Sequence, residues 1–292
     1  MSIQPTVSVV IPFYGHAQYL RDAVESVIAQ TYSNVEVIVV DDCSPDARAI
    51  ELLRGLRHPR LLVFKLDSTK GASIARNAGI NRSSGEYILP LDADDLIDST
   101  YLEKTVPHLL ADQTIGAVCT DIRVFGKTNS VLTPQISMLE LLSRGTTCST
   151  FLFRRELYES VGGYKEGLQP GEERQFMIDA LAKDWQFKLV NQPLYFFRRH
   201  ENNKPQSFMQ DRYSDLVKNN LELYKQYLPL ILERQRSRVQ ELAKARTKLA
   251  ASHERLVSQD KRLQAGLTNV MNYYRDLETE ALKMDDSKVG QL

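Results

Sequence analysis

The stretch Gly85 to Asp95, GEYILPLDADD, joins an apolar run to a cluster of acids. Tyr87 to Leu91 has the pattern of a short buried strand, and it leads straight into Asp92, Asp94 and Asp95. Ionised carboxylates this close repel one another and cost free energy unless a cation sits among them. Oxygen ligands select a hard divalent ion such as Mg²⁺ or Mn²⁺. An ion held in this way keeps open positions, and a substrate diphosphate is its natural partner. The plainer alternative is a solvated acidic turn, or Asp94 or Asp95 capping a helix that follows.

The residues upstream repeat one pattern. Val7–Ile11 and Val35–Val40 are continuous β-branched runs, as in strands buried on both faces. The first ends at Pro12-Phe13-Tyr14-Gly15, the second at Asp41-Asp42-Cys43-Ser44. Leu20, Val24, Val27 and Ile28 recur at helical spacing, as do Ile50, Leu53 and Leu56. Leu61–Leu66 reads as a third strand, and Gly71 and Ser73 precede a helix through Ile80. Strand and helix alternate four times, which predicts a doubly wound α/β sheet with helices on both faces. Such sheets bind ligands beyond the carboxyl ends of their strands. Three strand ends carry polar groups: Tyr14, Asp41/Asp42, and Asp92/Asp94/Asp95. The turn after the first strand, PFYGHAQYL, lacks the G-x-G-x-x-G of a dinucleotide-binding fold, and no Walker A sequence is present. Phosphates would then need a metal and side-chain cations.

Further along, helices are expected at 101–110, 136–142 and 155–161, and strands at 118–125 and 193–199. Pro170-Gly171-Glu172-Glu173 reads as a helix start with acids in its first turn. Lys+Arg and Asp+Glu both number 37, so no net charge favours nucleic acid or an anionic membrane. Cys43, Cys119 and Cys148 have no metal spacing and suggest free thiols in a reducing compartment. No apolar run approaches the ~20 residues of a membrane span. The N-terminal MSIQPTVSVVIP lacks the basic-then-apolar order of a signal peptide. A cytoplasmic protein is expected, with peripheral association at the inner face of the membrane left open.

Taken together and in this order, VSVVIPFY, SVIAQTY, VEVIVVDDCS, GASIARNAGINRSSGEYI and LDADD resemble the inverting family 2 glycosyltransferases of GT-A fold. The resemblance covers about residues 5 to 200. It implies a mixed sheet of GT-A type whose first half binds a nucleoside diphosphate sugar and whose second half binds a carbohydrate or lipid-linked acceptor. Pro12 and Tyr14 would line the base pocket, and Asp42 would accept from the base edge, with uracil expected. Arg76 would reach the nucleotide or diphosphate. Asp92 would sit at the ribose, and Asp94 and Asp95 at a Mn²⁺ or Mg²⁺ ion. Gly15 stands where the family usually carries Asn, which loosens the turn. The family places an acidic pair where Glu172-Glu173 stands and uses its second member as general base. Glu173 fills that slot, one methylene longer than the usual Asp, and Glu172 is the alternative. Arg198 and His200 match an arginine, spacer, histidine pattern near the diphosphate, and His200 could also ligate the metal. The Gln-x-x-Arg-Trp signature of processive members is absent, which favours single-sugar transfer. Two other readings stay open: a non-catalytic sugar-nucleotide-binding scaffold, and transfer to a polyprenyl phosphate.

From about residue 216 the composition changes, dividing the chain into a 1–215 catalytic domain and a 216–292 helical extension. Leu242, Leu249, Leu256, Leu263, Val270 and Leu277 recur every seven residues. Val239 and Leu267 fit the second seam, which Arg246, His253 and Asp260 interrupt. A coiled coil that makes a homo-oligomer is expected, the alternative being a helix folded back on the catalytic domain.

Overall fold

The computed structural model describes residues 4–15, 17–143, 146–168, 171–201 and 213–289. The first half alternates as expected: β1 (Val7–Phe13), α1 (Ala17–Ile28), β2 (Val35–Asp41), α2 (Ala47–Gly55), β3 (Leu61–Lys65), α3 (Ala72–Arg82) and β4 (Tyr87–Pro90). Then follow β5 (Leu96–Ile97), α4 (Tyr101–Ala111), β6 (Ile115–Gly126), β7 (Ser130–Leu132), α5 (Met138–Leu142), β8 (Leu152–Arg154), α6 (Arg155–Val161), α7 (Glu172–Leu181) and β9 (Gln186–Arg199). Two helices close the chain, α8 (Tyr213–Asn219) and α9 (Leu221–Val289).

One mixed sheet runs in the order β3-β2-β1-β4-β8-β6-β9-β5, with β7 paired to β6. The first four strands are parallel, and the inner three, β1, β2 and β4, are covered on both faces, which is why their apolar runs are unbroken, while the edge strand β3 leaves Leu62 exposed. β8 pairs antiparallel with both β4 and β6, while β6 and β9 are parallel. The ends of β1, β2 and β4 therefore open on one edge, and the turns after them carry Tyr14, Asp42 and the acids from Asp92 to Asp95.

α4 starts at Tyr101 as expected, so neither Asp94 nor Asp95 caps it, and residues 96–97 form a two-residue strand on β9. The structure adds the following to the sequence reading. Asp98 takes the turn before α4, accepting from the amide and hydroxyl of Thr100. β9 begins at Gln186, because Phe187 and Leu189 face inward between exposed Gln186 and Lys188. β7 lies where the sequence reading placed no element, and its three residues are exposed, so no apolar signal marks it. Pro170 lies outside the described residues, so the predicted helix start is seen only from Gly171.

The chain divides into two compact units, Met1–Ile231 and Leu232–Leu292. Residues 216–231, expected in the extension, belong to the first unit. Leu216 and Asn220 are buried, and Leu223, Tyr224, Tyr227 and Ile231 pack against the core. The second unit is helix, and its side chains are described as far as residue 271, with Leu242, Leu249, Leu256 and Leu263 all exposed. The side chains of Val270 and Leu277 lie outside the described residues.

α3 carries Arg76 toward the open edge of the sheet, and Gly79 lets it approach. A Cβ on Gly79 would stand 2.4 Å from Val10 Cγ1 and 2.9 Å from Val40 Cγ2, both rigid branched side chains in the core. Helix propensity alone favours Ala over Gly by about 1 kcal/mol, and overpacking costs about 1–3 kcal/mol. Packing should win. Gly79→Ala is expected to lower the urea midpoint of the Met1–Ile231 unit with its m-value unchanged; a raised midpoint would show that the helix can back away from the sheet.

Candidate active site

Arg76 is buried, and its guanidinium meets three carboxylates. Nη2 is 2.7 Å from Asp92 Oδ1 and 2.8 Å from Glu173 Oε1, and Nη1 is 3.1 Å from Glu172 Oε1. One arginine thus joins the turn after β4 to the first turn of α7. Burial works against its charge, and Glu173, Asp92 and Glu172 more than offset that, holding the guanidinium firmly protonated. The Tyr164 ring lies 5.5 Å away under the guanidinium.

α7 is fixed from below and behind. Phe176 stacks on Tyr164 at 4.7 Å and tilts against Phe153 at 5.0 Å and Phe151 at 5.9 Å. Gln175, fully buried, exchanges amide hydrogen bonds with Asn220 at 3.0 and 2.6 Å. Glu172 points inward and its Oε2 accepts from the Gly171 amide at 3.0 Å. The Glu173 side chain keeps 18% of its surface exposed. Burial and then the Glu172 charge push its carboxyl up to about 7, against the pull of Arg76. Of the two acids, Glu173 is the one with more access to solvent.

The other acids after β4 face the end of β9. His200 Nε2 lies 2.9 Å from Asp94 Oδ2. Arg198 Nε donates to the Asp94 carbonyl at 2.7 Å, and its Nη2 lies 3.2 Å from Asp22. The same guanidinium sits over the rings of Tyr19 and Phe125 at 4.5 and 4.7 Å. Asp95 is turned into the protein. Its Oδ1 accepts from the Arg198 amide at 2.8 Å, and its Oδ2 accepts a short hydrogen bond from the Tyr195 hydroxyl, which also meets Ser149 Oγ at 2.8 Å. Burial, then Asp94 and Asp92, raise Asp95 well above the usual carboxylate range. Among the described residues no group of three His, Cys, Asp or Glu side chains is arranged to hold a metal; the nearest arrangement is the pair Asp94 and His200.

Asp42 is buried, and its two oxygens accept from the amides of Lys70 and Gly71, each at 2.7 Å. It therefore anchors the start of the helix that carries Arg76. An ionised carboxylate has about four acceptor sites, so a further donor can still be met. Tyr14 is 51% exposed on the turn after β1, and Pro12 is half-buried near the end of that strand. Sequence reasoning missed Tyr195, Asp22, Tyr19 and Ser149. Tyr195 lies inside PLYFFRRH, where an aromatic reads as strand packing, and nothing in the order of residues ties it to Asp95.

Residues 8–164 match the family described as Glycosyl transferase family 2. That is more than half of the chain, and the chain belongs to this family of enzymes. Among curated relatives, an uncharacterized glycosyltransferase EpsJ of Bacillus subtilis (strain 168) is 25% identical over 68% of this chain and 62% of its own length. The succinoglycan biosynthesis protein ExoO of Rhizobium meliloti (strain 1021) is 30% identical over 61% of this chain and 56% of its own. The chain thus spans less than two thirds of either relative. Among solved structures, S. aureus TarS 1-349 in complex with UDP-GlcNAc superposes with a TM-score of 0.57 at 21% identity, over 68% of this chain and 60% of that one. The mannosyltransferase PcManGT from Pyrobaculum calidifontis, in complex with GDP-Man and Mn²⁺, gives 0.55 at 20% identity, over 69% and 59%. At that identity the likeness is one of fold.

Removing one partner of a buried charge cluster typically costs about 3–5 kcal/mol. Arg76→Met should reach that range at pH 8 and lose less at pH 5, where Glu173, pushed up to about 7, is already protonated and pulls less on the arginine. Thermal melts at the two pH values check this. Equal losses at both would mean that the arginine acts through packing, not charge.

Proposed function

We propose that the chain transfers a single sugar, with inversion, from a nucleoside diphosphate sugar to an acceptor hydroxyl, with UDP as the carrier. The observation that carries this is the Glu173 carboxylate. It is partly exposed, held by Arg76 beside Asp92, and shifted to about 7, which suits a general base working near neutral pH. Glu173 takes the acceptor proton while the acceptor oxygen bonds to the anomeric carbon. The bond from that carbon to the diphosphate breaks with its electron pair going to the phosphate oxygen. Arg198 and His200 bear on the charge that develops there. Tyr14 offers an exposed ring to the base, and Asp42 and Pro12 stand at the same strand ends.

A divalent cation, Mn²⁺ or Mg²⁺, would be held by the Asp94 carboxylate and the His200 imidazole, a hard oxygen donor beside a borderline nitrogen donor. When bound it would supply charge stabilisation to the leaving diphosphate. Asp95 serves as the brace behind them, since Tyr195 and the Arg198 amide already use its oxygens. The Mn²⁺ and nucleotide sugars in the names of the solved relatives support this donor class. The succinoglycan relative supports a role in cell-surface polysaccharide or glycoconjugate synthesis, with a carbohydrate or lipid-linked acceptor. Among the described residues no helix is long and apolar enough to cross a membrane. The same reading takes the catalytic unit as cytoplasmic and self-associating through α9.

Glu173→Gln should leave donor binding intact and cut the transfer rate by about 10²–10⁴-fold, the usual contribution of a positioned base. Glu172→Gln should do much less, and the opposite ranking would move the role to Glu172. The base works ionised, so the wild-type rate should climb as pH rises through about 7 and then level off. A flat pH profile between 5 and 8 would count against Glu173.

Donor binding tests the cation separately. Calorimetric titration with UDP should show affinity that depends on Mn²⁺, lost with EDTA and lost in Asp94→Asn. Equal affinity with and without the ion would remove the metal from the reading.

A further inference from the structure

α9 presents an apolar stripe with charges set into its seam. Leu242, Leu249, Leu256, Leu263 and Leu267 are each more than 60% exposed. A shallow groove lined by Leu242, Ala243, Arg246, Thr247 and Ala250 runs along the same face. Leucine every seven residues is the spacing that packs against another helix of the same pitch. The second seam position reads Val239, Arg246, His253, Asp260 and Leu267.

We propose that two copies of this chain pair through α9 in antiparallel orientation, about a two-fold axis close to His253. This rests on the self-association reading above and adds its geometry. The flanks of the stripe carry Ala243, Ala250 and Val257 on one side and Ala245, Ser252 and Gln259 on the other. None of these is charged, so no flanking ion pairs select the orientation, and the seam charges must. A parallel, in-register pair sets Arg246 against Arg246 and Asp260 against Asp260. Both are like-charge contacts, unfavourable where water is excluded. Arg246 and Asp260 lie seven residues to either side of His253. An antiparallel seam alternates the two positions, so with the axis between Leu249 and His253 each Arg246 stands level with Leu256 of the other copy, and each Asp260 with Leu242. Asp260 of one copy then lies four residues, about 6 Å, along the seam from Arg246 of the other, and both side chains lean toward their own N-terminus and so toward each other, twice by symmetry. A closed two-fold pair also uses one patch on both copies, and no sticky end is left to propagate.

A charge swap in the full-length chain tests both layers of the idea. Wild type should sediment as a dimer at tens of micromolar. Arg246→Asp should weaken the dimer by about tenfold or more, because two attractive contacts become repulsive. Adding Asp260→Arg to the same chain should restore it. In a parallel pair neither change alters the sign of a contact, and both variants would dimerise like wild type. Cysteine pairs give an independent readout of direction. A mixture of Ala245→Cys and Gln259→Cys chains should form a mixed disulfide, whereas Ala245→Cys with Ala250→Cys should not. Cross-linking of the second mixture, with a dimer indifferent to the charge swap, overturns the orientation and leaves self-association standing. A monomeric full-length wild type overturns both.

Discussion

The buried Arg76 is the constraint on which the candidate site depends. A guanidinium out of contact with water is costly, and so is each carboxylate beside it. The cluster is tolerable only as a whole, with Asp92 from the turn after β4 and Glu172 and Glu173 from α7 in place together. The same cation therefore fixes the distance between the two halves of the sheet edge. Its short leash also explains why Glu173 is neither an ordinary surface acid nor a fully neutral buried one. Desolvation and Glu172 raise its proton affinity, and Arg76 pulls it back toward neutrality.

A second frame holds the other side. Asp95 does not face the opening at all. It ties Tyr195 and the Arg198 amide to the turn after β4, and so sets where Arg198 and His200 emerge from β9. Two neighbouring acids in one tetrapeptide thus do opposite jobs: Asp94 looks out to His200 and Asp95 looks in. Asp42 follows the inward pattern, bracing Lys70 and Gly71 at the start of α3. Asp41, Asp42 and Asp95 thus spend their oxygens on the protein's own donors, which leaves Asp92 and Asp94 of the five strand-end acids toward the opening.

Much of the first half is legible in the order of residues, for a physical reason. Parallel strands buried on both faces need continuous apolar runs, so β1, β2 and β4 announce themselves. β5 does not, because two residues carry no period, and β7 does not, because all three of its side chains are exposed. The acids and basic residues of the site were visible as residue types in a telling sequence. Their division into outward and inward roles was not, since that depends on contacts across the fold, such as the Asp95–Tyr195 bond over 100 residues. The globular unit also reaches past 215 to Ile231, because Asn220 and the aromatics after it bury themselves on α7 and α5, a tertiary fact with no local signature.

The Arg76 cluster also sets an order of events during synthesis. Arg76 leaves the ribosome 96 residues ahead of Glu172, and until then Asp92 is its sole anionic neighbour from the cluster. Asn220, which clasps the helix bearing Glu172 and Glu173, follows Gln175 by another 45 residues. The nascent first half can wind its parallel strands early, as local βαβ units. The edge that carries the Arg76 cluster cannot close until almost the whole globular unit has emerged. Through that interval a guanidinium met by Asp92 but by neither glutamate would sit at an unfinished sheet edge, the stage at which a nascent chain is most exposed to wrong partners.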